Sequence, residues 1–250
     1  MLIKSKKWRC VGSENHLVVE VVFDSHDINE ATSVANAKMD FINVHNPGGI
    51  QRTSEVIKNR IIAGKLADSA VLEMLNRCIG AWGLGSVFAV SEYDKSRSDN
   101  FENPDPYDLE LHNKITQATQ SIEVRSSFCY KLAPVEKILE KLSVYGWYTS
   151  KNKPIEPPRD WYFQVVYYLR PRDVAQENSL KMKIFEDLLE SGSVTGFVVG
   201  GASKELLHEH GINRLDQDGA SYRAISPIYQ ASDCKFMLNA VLPRNNQVSK

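Results

Sequence analysis

The stretch Trp161-Tyr-Phe-Gln-Val-Val-Tyr-Tyr-Leu169 is a nearly continuous run of apolar and aromatic residues. A strand at the centre of a sheet is covered on both faces, so its sequence is apolar throughout instead of alternating with polar residues. The run is also short, within the usual length of a strand. We therefore predict a central β-strand at residues 161–169 and expect the remaining elements to surround it.

The rest of the chain mixes strand and helix patterns around this run. Further strands are predicted at residues 17–23, 87–90, 107–111, 121–125, 194–200 and 221–225. Helices are predicted at residues 28–43, 53–79, 134–145, 180–190, 204–210 and 232–242. Gly64, inside the longest helical pattern, predicts a break or a close contact. This mixture predicts an α/β fold with a central mixed sheet flanked by helices.

Length and composition restrict the class of protein. The chain has 250 residues, of which 42% are hydrophobic, and 30 basic residues stand against 31 acidic ones. These values are typical of a folded globular protein and argue against extensive disorder. A formal charge of −1 is unlike that of a small basic nucleic-acid-binding domain, although separate basic and acidic surfaces would give the same total. We predict a main domain at residues 51–250 and a strand–helix extension of unnamed role at residues 1–50.

The cysteines and the apolar runs predict a cytoplasmic protein. Four cysteines lie far apart and form no C-x-x-C pair, which argues against a structural zinc site. The basic N-terminus is not followed by the apolar segment of a signal peptide. No apolar run approaches the roughly 20 residues of a membrane span. We expect no membrane partner and reduced thiols.

Two strands carry the residues on which a function can be argued. In Tyr107-Asp-Leu-Glu-Leu111 apolar and acidic residues alternate, and Ile122-Glu-Val-Arg125 alternates in the same way. Successive side chains of a strand point to opposite faces. If the two strands pair with their apolar faces on the core, Asp108, Glu123 and Arg125 converge on the other face. Carboxylate oxygens in such a set are the ligands that Mg²⁺ prefers.

At these positions the sequence resembles the PD-(D/E)XK, or restriction-endonuclease-like, nucleases. Asp108 is followed fifteen residues later by Glu123-Val-Arg125, similar to the D…(D/E)xK signature of that family. The family has an acidic residue on a preceding helix, and Gly64-Lys-Leu-Ala-Asp68-Ser-Ala-Val71 is similar to its G-x-x-x-E-x-x-v pattern. A helix and further strands follow in the same order, so the resemblance spans roughly residues 52–240.

The resemblance implies a restriction-endonuclease-like core and a Mg²⁺-dependent DNA endonuclease, with Mn²⁺ as a substitute ion. Asp68, Asp108 and Glu123 would bind the metal, and Arg125 would contact the scissile phosphate or the attacking water. A homodimer is compatible with cutting both strands of DNA. Partner proteins from a restriction or phage-defence system are the setting that the resemblance implies.

Two departures from the family pattern keep alternatives open. The family usually has lysine where this chain has Arg125, and arginine does not readily give up a proton. Asp68 is one methylene shorter than the usual glutamate. The chain could therefore be a catalytically inactive nuclease-like module that binds DNA or a protein, and RNA is an alternative substrate.

Several other polar residues have ordinary structural interpretations. Glu110 is expected to be an exposed neighbour of the site, and Gln164 either lines the site or holds a core water. His208 and His210 are two residues apart, which does not fit metal ligands on a helix. Candidate contacts to a phosphate backbone are Arg52, Lys58, Arg60, Lys65, Lys151, Lys153, Arg159, Arg170 and Arg172.

Overall fold

The structure is a computed structural model of the whole chain. It describes residues 1–9, 15–45, 49, 51–99, 101–103, 105–130, 132, 134–150, 156–169, 185–215 and 220–244. The strands are β1 (Leu2–Arg9), β2 (Asn15–Val22), β3 (Phe88–Glu92), β4 (Leu109–Asn113), β5 (Thr119–Cys129), β6 (Val144–Tyr148), β7 (Trp161–Leu169), β8 (Val194–Ser203), β9 (Ile212–Leu215) and β10 (Ser221–Ile225). The α-helices are α1 (Ser25–Lys38), α2 (Ser54–Ala81), α3 (Tyr93–Ser96), α4 (Ile138–Lys141), α5 (Phe185–Glu190), α6 (Lys204–His210) and α7 (Cys234–Val241).

A large mixed sheet organises the described part of the chain. Its seven strands lie in the order β1-β2-β8-β7-β5-β4-β3. Strands β5 and β7 are parallel, whereas the other neighbouring pairs are antiparallel. Three further strands form a small sheet in the order β6-β10-β9. The predicted α/β class, with a central mixed sheet flanked by helices, is confirmed.

Strand β7 lies inside the large sheet with both faces covered, as its sequence predicts. Phe163, Val165 and Tyr167 belong to the apolar core on one side of the sheet. Tyr162 and Val166 belong to a second core on the other side. Helices α1 and α2 contribute to the first core, and α4 and β6 contribute to the second. The sequence of β7 is therefore apolar throughout because each face of the strand packs into a separate core.

Helix α2 is one continuous helix of 28 residues. Its N-cap is Thr53, whose side-chain oxygen accepts a hydrogen bond from the Val56 backbone N–H. Ile62, Leu66 and other apolar residues at helical spacing face the sheet and are buried. The predicted break or close contact at Gly64 is wrong, because the helix continues through it and a Cβ atom there would meet nothing within 4 Å.

The predicted helix at residues 134–145 is confirmed over residues 135–141 and is wrong over residues 142–145. A 3₁₀ turn at Val135–Lys137 leads into the single turn of α4, and strand β6 follows. The sequence of β6, Val-Tyr-Gly-Trp-Tyr, is rich in the β-branched and aromatic residues that favour strands. Antiparallel pairing with β10 stabilises the extended conformation. Pairing between strands distant in sequence thus overrides the local helical spacing.

The first fifty residues contribute to the same sheet as the rest of the chain. Strand β1 was not predicted, since Lys4, Lys6 and Lys7 hide its strand character, and it forms an edge of the sheet paired with β2. Strand β2 pairs in turn with β8, and α1 packs on α2. The division at residue 50 stays a prediction, and described residues from both sides of it share one core.

None of the helices in the described ranges combines the length and the apolar character needed to cross a membrane.

Candidate functional site

The two strands that carry the predicted site pair with each other. Strands β4 and β5 are antiparallel, with Leu109 opposite Ile122, and both side chains are fully buried. Asp108 directly precedes β4, and its backbone N–H donates to the carbonyl oxygen of Ile122 at 3.2 Å. The apolar partners therefore fix the register, and this register brings Asp108 next to the Glu123-Val-Arg125 segment.

All four predicted site residues line one cleft. Asp68 reaches it from α2, Asp108 from the start of β4, and Glu123 and Arg125 from β5. The cleft has a volume of about 220 Å³. Its lining holds five carboxyl groups against three cations, with Asp94, Asp105, Lys38 and Lys65 as the charged residues outside the predicted set. The catalytic and metal-binding roles of these residues stay predictions.

The three carboxyl groups hold their protons more tightly than carboxyl groups in water. Burial, together with the charges of Asp94 and Glu123 and against the opposing effect of Lys65, raises the pKa of Asp68 to about 8. Burial, with the charges of Glu123 and Asp68, raises the pKa of Asp108 well above its ordinary value. Burial also raises the pKa of Glu123. Carboxyl groups shifted in this way in a cleft are characteristic of functional sites.

Two hydrogen-bonding groups of β5 hold the Asp108 and Glu123 carboxylates in place. Asp108 Oδ2 accepts a hydrogen bond of 2.7 Å from the backbone N–H of Val124. Glu123 Oε1 lies 3.1 Å from Arg125 Nη1, and its Oε2 lies 3.7 Å from Arg159 Nε. The carboxylate of Glu123 is therefore held between two arginines, one on each oxygen.

Arg125 is held by contacts on several sides. Its Nη2 lies 2.8 Å from both carboxylate oxygens of Glu156, and its Nε donates to the carbonyl oxygen of Gly146 at 3.2 Å. The rings of Tyr148 and Tyr222 lie 5.2 and 5.3 Å from the guanidinium carbon. Arg125 therefore connects the large sheet to the small sheet, a role that the alternation in β5 does not predict.

Lys65 lies in the lining of the cleft and forms a buried ion pair with Glu92. The two side chains are 3% and 1% exposed. Burial lowers the pKa of Lys65. Lys65 was predicted as a contact to a phosphate backbone, and its ammonium group is instead paired with the carboxylate of β3. Glu92 has no recognisable signal in the sequence beyond following a short apolar strand.

The segment between α3 and β4 forms an acidic wall of the cleft. Lys38 of α1 pairs with Asp105 and lies 3.7 Å from Asp94. Arg97 donates to Asp105 at 2.6 Å, and its Nε donates to Asp99 at 2.7 Å. These ion pairs attach a polar loop to helix α1. The sequence pattern does not predict that the aspartates of this segment reach the site.

The carboxyl groups of the cleft form a donor set suited to a divalent cation. Asp68, Asp108 and Glu123 offer hard oxygen ligands of the kind that Mg²⁺ binds. Burial and, after it, the charges of neighbouring carboxylates raise the pKa values of Asp68 and Asp108, and a bound cation would offset both effects. Among the described residues, however, the oxygens of these three side chains do not all lie within 4.8 Å of one another. The residues fit a cation in chemistry and location, with side-chain adjustment on binding.

A second cluster of possible metal ligands lies at the start of helix α1 and is not part of the cleft lining. One ligand atom from each of Asp24, His26 and Asp27 lies within 4.8 Å of the others. Asp24 and Asp27 form the capping box of α1, and both carboxylates pair with the ammonium group of Met1. These residues already have partners as a helix cap, so the group has an ordinary structural explanation.

Two further candidates, Gln164 and Glu110, are not part of the cleft lining, although Glu110 hydrogen-bonds to Tyr107, which is. Gln164 is fully buried and is not in the cleft lining. Its side chain donates to the carbonyl oxygen of Arg125 and to Ser127 Oγ, and it accepts from the Tyr145 backbone N–H. It therefore joins β5, β6 and β7. Glu110 is also outside the lining.

Among the predicted basic contacts, Lys58 pairs with Glu186, and Arg52 donates to the carbonyl oxygen of Asn43. The predictions for Lys151, Lys153, Arg170 and Arg172 fall outside the described residues.

Comparisons with known proteins add one relative. The chain is 23% identical over 237 residues to the uncharacterized protein MJECS01 of Methanocaldococcus jannaschii, covering 87% of this chain and 82% of that protein. No family model matches the chain, and no solved structure matches it. The similarity covers most of both chains and carries no function with it.

Proposed function

We propose that the protein is a divalent-cation-dependent endonuclease with a restriction-endonuclease-like core. The observation that carries this proposal is the meeting of Asp68, Asp108 and Glu123 in one cleft. Asp68 comes from helix α2, Asp108 directly precedes β4, and Glu123 belongs to β5, the strand that pairs with β4. This is the order in which the resembling nucleases carry their acidic residues.

Asp108 and Glu123, with Asp68 beside them, would hold Mg²⁺ or Mn²⁺. When bound, such an ion polarises the phosphoryl oxygen and lowers the pKa of a coordinated water. The backbone N–H of Val124 fixes one oxygen of Asp108. The other carboxylate oxygen of Asp108, Oδ1, would bind the cation. Deprotonation of the three carboxyl groups would accompany binding, because their pKa values are raised without a cation.

Arg125 supports the site by positioning Glu123. Its guanidinium is fixed by Glu156 and Gly146 while Nη1 faces Glu123 Oε1. Arginine stays protonated at any pH at which the protein is folded, so it does not act as a general base. Its contribution would be electrostatic, through the placement of a carboxylate next to the scissile phosphate.

The biological setting rests on the resemblance alone. DNA as the substrate, a homodimer that cuts both strands, and partner proteins of a restriction or phage-defence system are parts of the proposal. A cytoplasmic location belongs with that setting.

A second function is favoured by one observation at Arg125. The lysine of the family signature is replaced by arginine, and the guanidinium is bound to the Glu156 carboxylate. A nuclease-like module that binds nucleic acid or a protein without cutting would tolerate this replacement. Such a module would bind DNA but leave it intact with every divalent cation.

The test is cleavage of supercoiled plasmid and of labelled RNA by the purified chain with Mg²⁺, Mn²⁺ or EDTA. Wild type is expected to nick DNA only with a cation. Asp108→Asn and Glu123→Gln should each lower the rate by about 100-fold, the scale of losing one preorganised charge at a reacting centre. Glu209→Gln is the control, since it removes an exposed carboxylate that is not part of the cleft lining.

Cleavage that persists in both variants would contradict the site. DNA binding with no cleavage under any cation would favour the second function, and cleavage of RNA alone would replace the substrate.

A further inference from the structure

Arg159 lies just before β7 and next to the proposed site. Its side chain is 14% exposed, and Nε lies 3.7 Å from Glu123 Oε2. The backbone at this position is fixed, because the Arg159 N–H donates to Tyr162 Oη at 2.8 Å. Arg159 therefore lies near a different carboxylate oxygen of Glu123 than Arg125 does, on a segment that is anchored to the central strand.

The Nε–H group of Arg159 is buried and has no hydrogen-bond partner among the described residues. A buried donor without a partner costs roughly 1–3 kcal/mol, so native structures rarely keep one without a reason. The carboxylate nearest in sequence, Asp160, is already engaged: it accepts from the backbone N–H and the hydroxyl of Ser121. Arg159 is not part of the cleft lining, but its guanidinium retains donor capacity next to Glu123, which lines the cleft.

The two arginines around Glu123 differ in their freedom to bind a ligand. Arg125 is held by Glu156, by the carbonyl oxygen of Gly146 and by Glu123. Among the described residues, the guanidinium of Arg159 has the longer contact to Glu123 and its Nε–H has no hydrogen-bond partner. An arriving phosphate would have to displace Glu156 to reach Nη2 of Arg125, whereas it would supply a missing acceptor to Arg159.

We propose that Arg159 is the arginine that binds the phosphate of the nucleic-acid substrate beside Glu123. This inference rests on the proposed function and assigns the phosphate contact to a residue outside the E-x-R segment. A guanidinium pairs with two phosphate oxygens at once, which gives orientation as well as affinity. The contact to Glu123 Oε2 would be exchanged for, or shared with, the phosphate oxygens.

The test compares wild type with Arg159→Gln, Arg159→Lys and the control Arg77→Gln, which removes an exposed cation of α2. The first measurement is the binding of a fluorescent oligonucleotide in Ca²⁺ at several salt concentrations. The second is cleavage kinetics in Mg²⁺ or Mn²⁺. Arg159→Gln should weaken binding and raise KM about tenfold. It should also reduce the salt slope of binding by about one, as expected for one lost phosphate contact.

Arg159→Lys should keep the salt slope, and Arg77→Gln should match wild type.

Three outcomes separate the inference from the function on which it rests. Wild type that neither binds nor cuts would overturn both. Active wild type together with wild-type binding by Arg159→Gln would overturn the assignment of Arg159 alone. A loss confined to kcat, with unchanged binding, would do the same and would leave Arg159 as a partner of Glu123. If the thermal transition shows that Arg159→Gln does not fold, Arg159→Lys becomes the test of the inference. Lysine cannot make a bidentate phosphate contact, so a KM and an affinity equal to those of wild type in Arg159→Lys would contradict that contact.

Discussion

Asp108 Oδ2 accepts a 2.7 Å hydrogen bond from the backbone N–H of Val124, the residue between Glu123 and Arg125. The bond joins the acidic residue before β4 to the middle of the E-x-R segment. An antiparallel ladder alone would place the two strands but not this side chain. The hydrogen bond therefore fixes Asp108 relative to Glu123 even without a ligand.

The first prediction separates the charge of Asp108 from its hydrogen bond. Asp108→Asn keeps an amide oxygen that can accept from the Val124 N–H, whereas Asp108→Ala leaves that buried donor without a partner. We expect both variants to lose cleavage. We expect Asp108→Ala to be less stable than Asp108→Asn by about 1–3 kcal/mol. Urea unfolding of the two proteins measures the difference, and equal stabilities would show that the hydrogen bond contributes little.

The second prediction concerns Asp68 and pH in the absence of divalent cations. Its pKa is about 8 in the folded protein and near 4 in an unfolded chain. Between these values the folded state binds more protons than the unfolded state, so Asp68 makes stability fall as pH rises from 4 to 8. Asp68→Asn removes this effect. We expect it to raise the Tm at pH 8 by at least about 2–4 °C and to change it little at pH 4.

Melting curves in EDTA across this pH range test the prediction for Asp68. The exposed residue Glu73 supplies a control, Glu73→Gln, on the same helix. A variant Asp68→Asn that is less stable than wild type at pH 8 would contradict the destabilising effect of this carboxyl group.

The third prediction concerns the stabilisation of the folded chain by Mn²⁺. A cation that binds the folded state alone raises the Tm as its concentration exceeds the dissociation constant. Protons compete for the same carboxylates, so the increase should be larger at pH 8.5 than at pH 6. Asp108→Asn and Glu123→Gln should reduce it. An equal increase in these variants, with loss of the increase in Asp24→Asn, would place the ion at the helix cap instead.

The fourth prediction concerns the buried pair of Lys65 and Glu92. Replacing Lys65 leaves the buried Glu92 carboxylate without its close partner and with the longer contact of 3.7 Å between its Oε2 and Lys95, at a cost of about 3–5 kcal/mol. We expect Lys65→Met to destabilise the protein by about this amount. The double variant Lys65→Met with Glu92→Leu should recover most of the loss, because it removes both charges. Denaturant unfolding of the single and double variants measures the coupling, and additive losses would contradict a dominant ion pair.

The fifth prediction concerns Glu156, which holds Arg125. Glu156→Gln keeps one carbonyl acceptor but loses the charge, whereas Glu156→Ala loses both. We expect the stability to decrease in that order, with about 3–5 kcal/mol lost in the alanine variant. The exposed residue Glu209 provides the matched control Glu209→Gln. Thermal unfolding measures the series, and an unchanged Tm for Glu156→Ala would contradict the anchoring of Arg125.

The central strand and the site strands were predictable because the order of apolar and polar residues in each strand indicates which of its faces are buried. Strand β7 is apolar on both faces, and it contributes to both cores. The alternation around Asp108 and Glu123 predicts which side chains lie opposite the apolar positions, and the pairing of Leu109 with Ile122 agrees with it. Such patterns reflect the environment of each residue along its own strand.

Contacts between distant segments were not predictable in the same way. The pairing of β6 with β10 replaces the C-terminal end of a predicted helix. The partners Glu92, for Lys65, and Glu156, for Arg125, are single acidic residues with no periodicity around them. Their roles depend on where the chain returns in space, which spacing within one segment does not specify.

Helix α1 carries Val34 and Lys38 in the lining of the cleft, and Lys38 holds the acidic loop through Asp105. A shortened chain beginning at residue 51 would therefore expose the open side of strand β8 and release that loop from its anchor. It would also remove a cation from a cavity already rich in carboxylates. Trimming the N-terminus in search of a minimal catalytic unit is thus expected to yield an incomplete pocket, and fragments should retain α1 with β1 and β2.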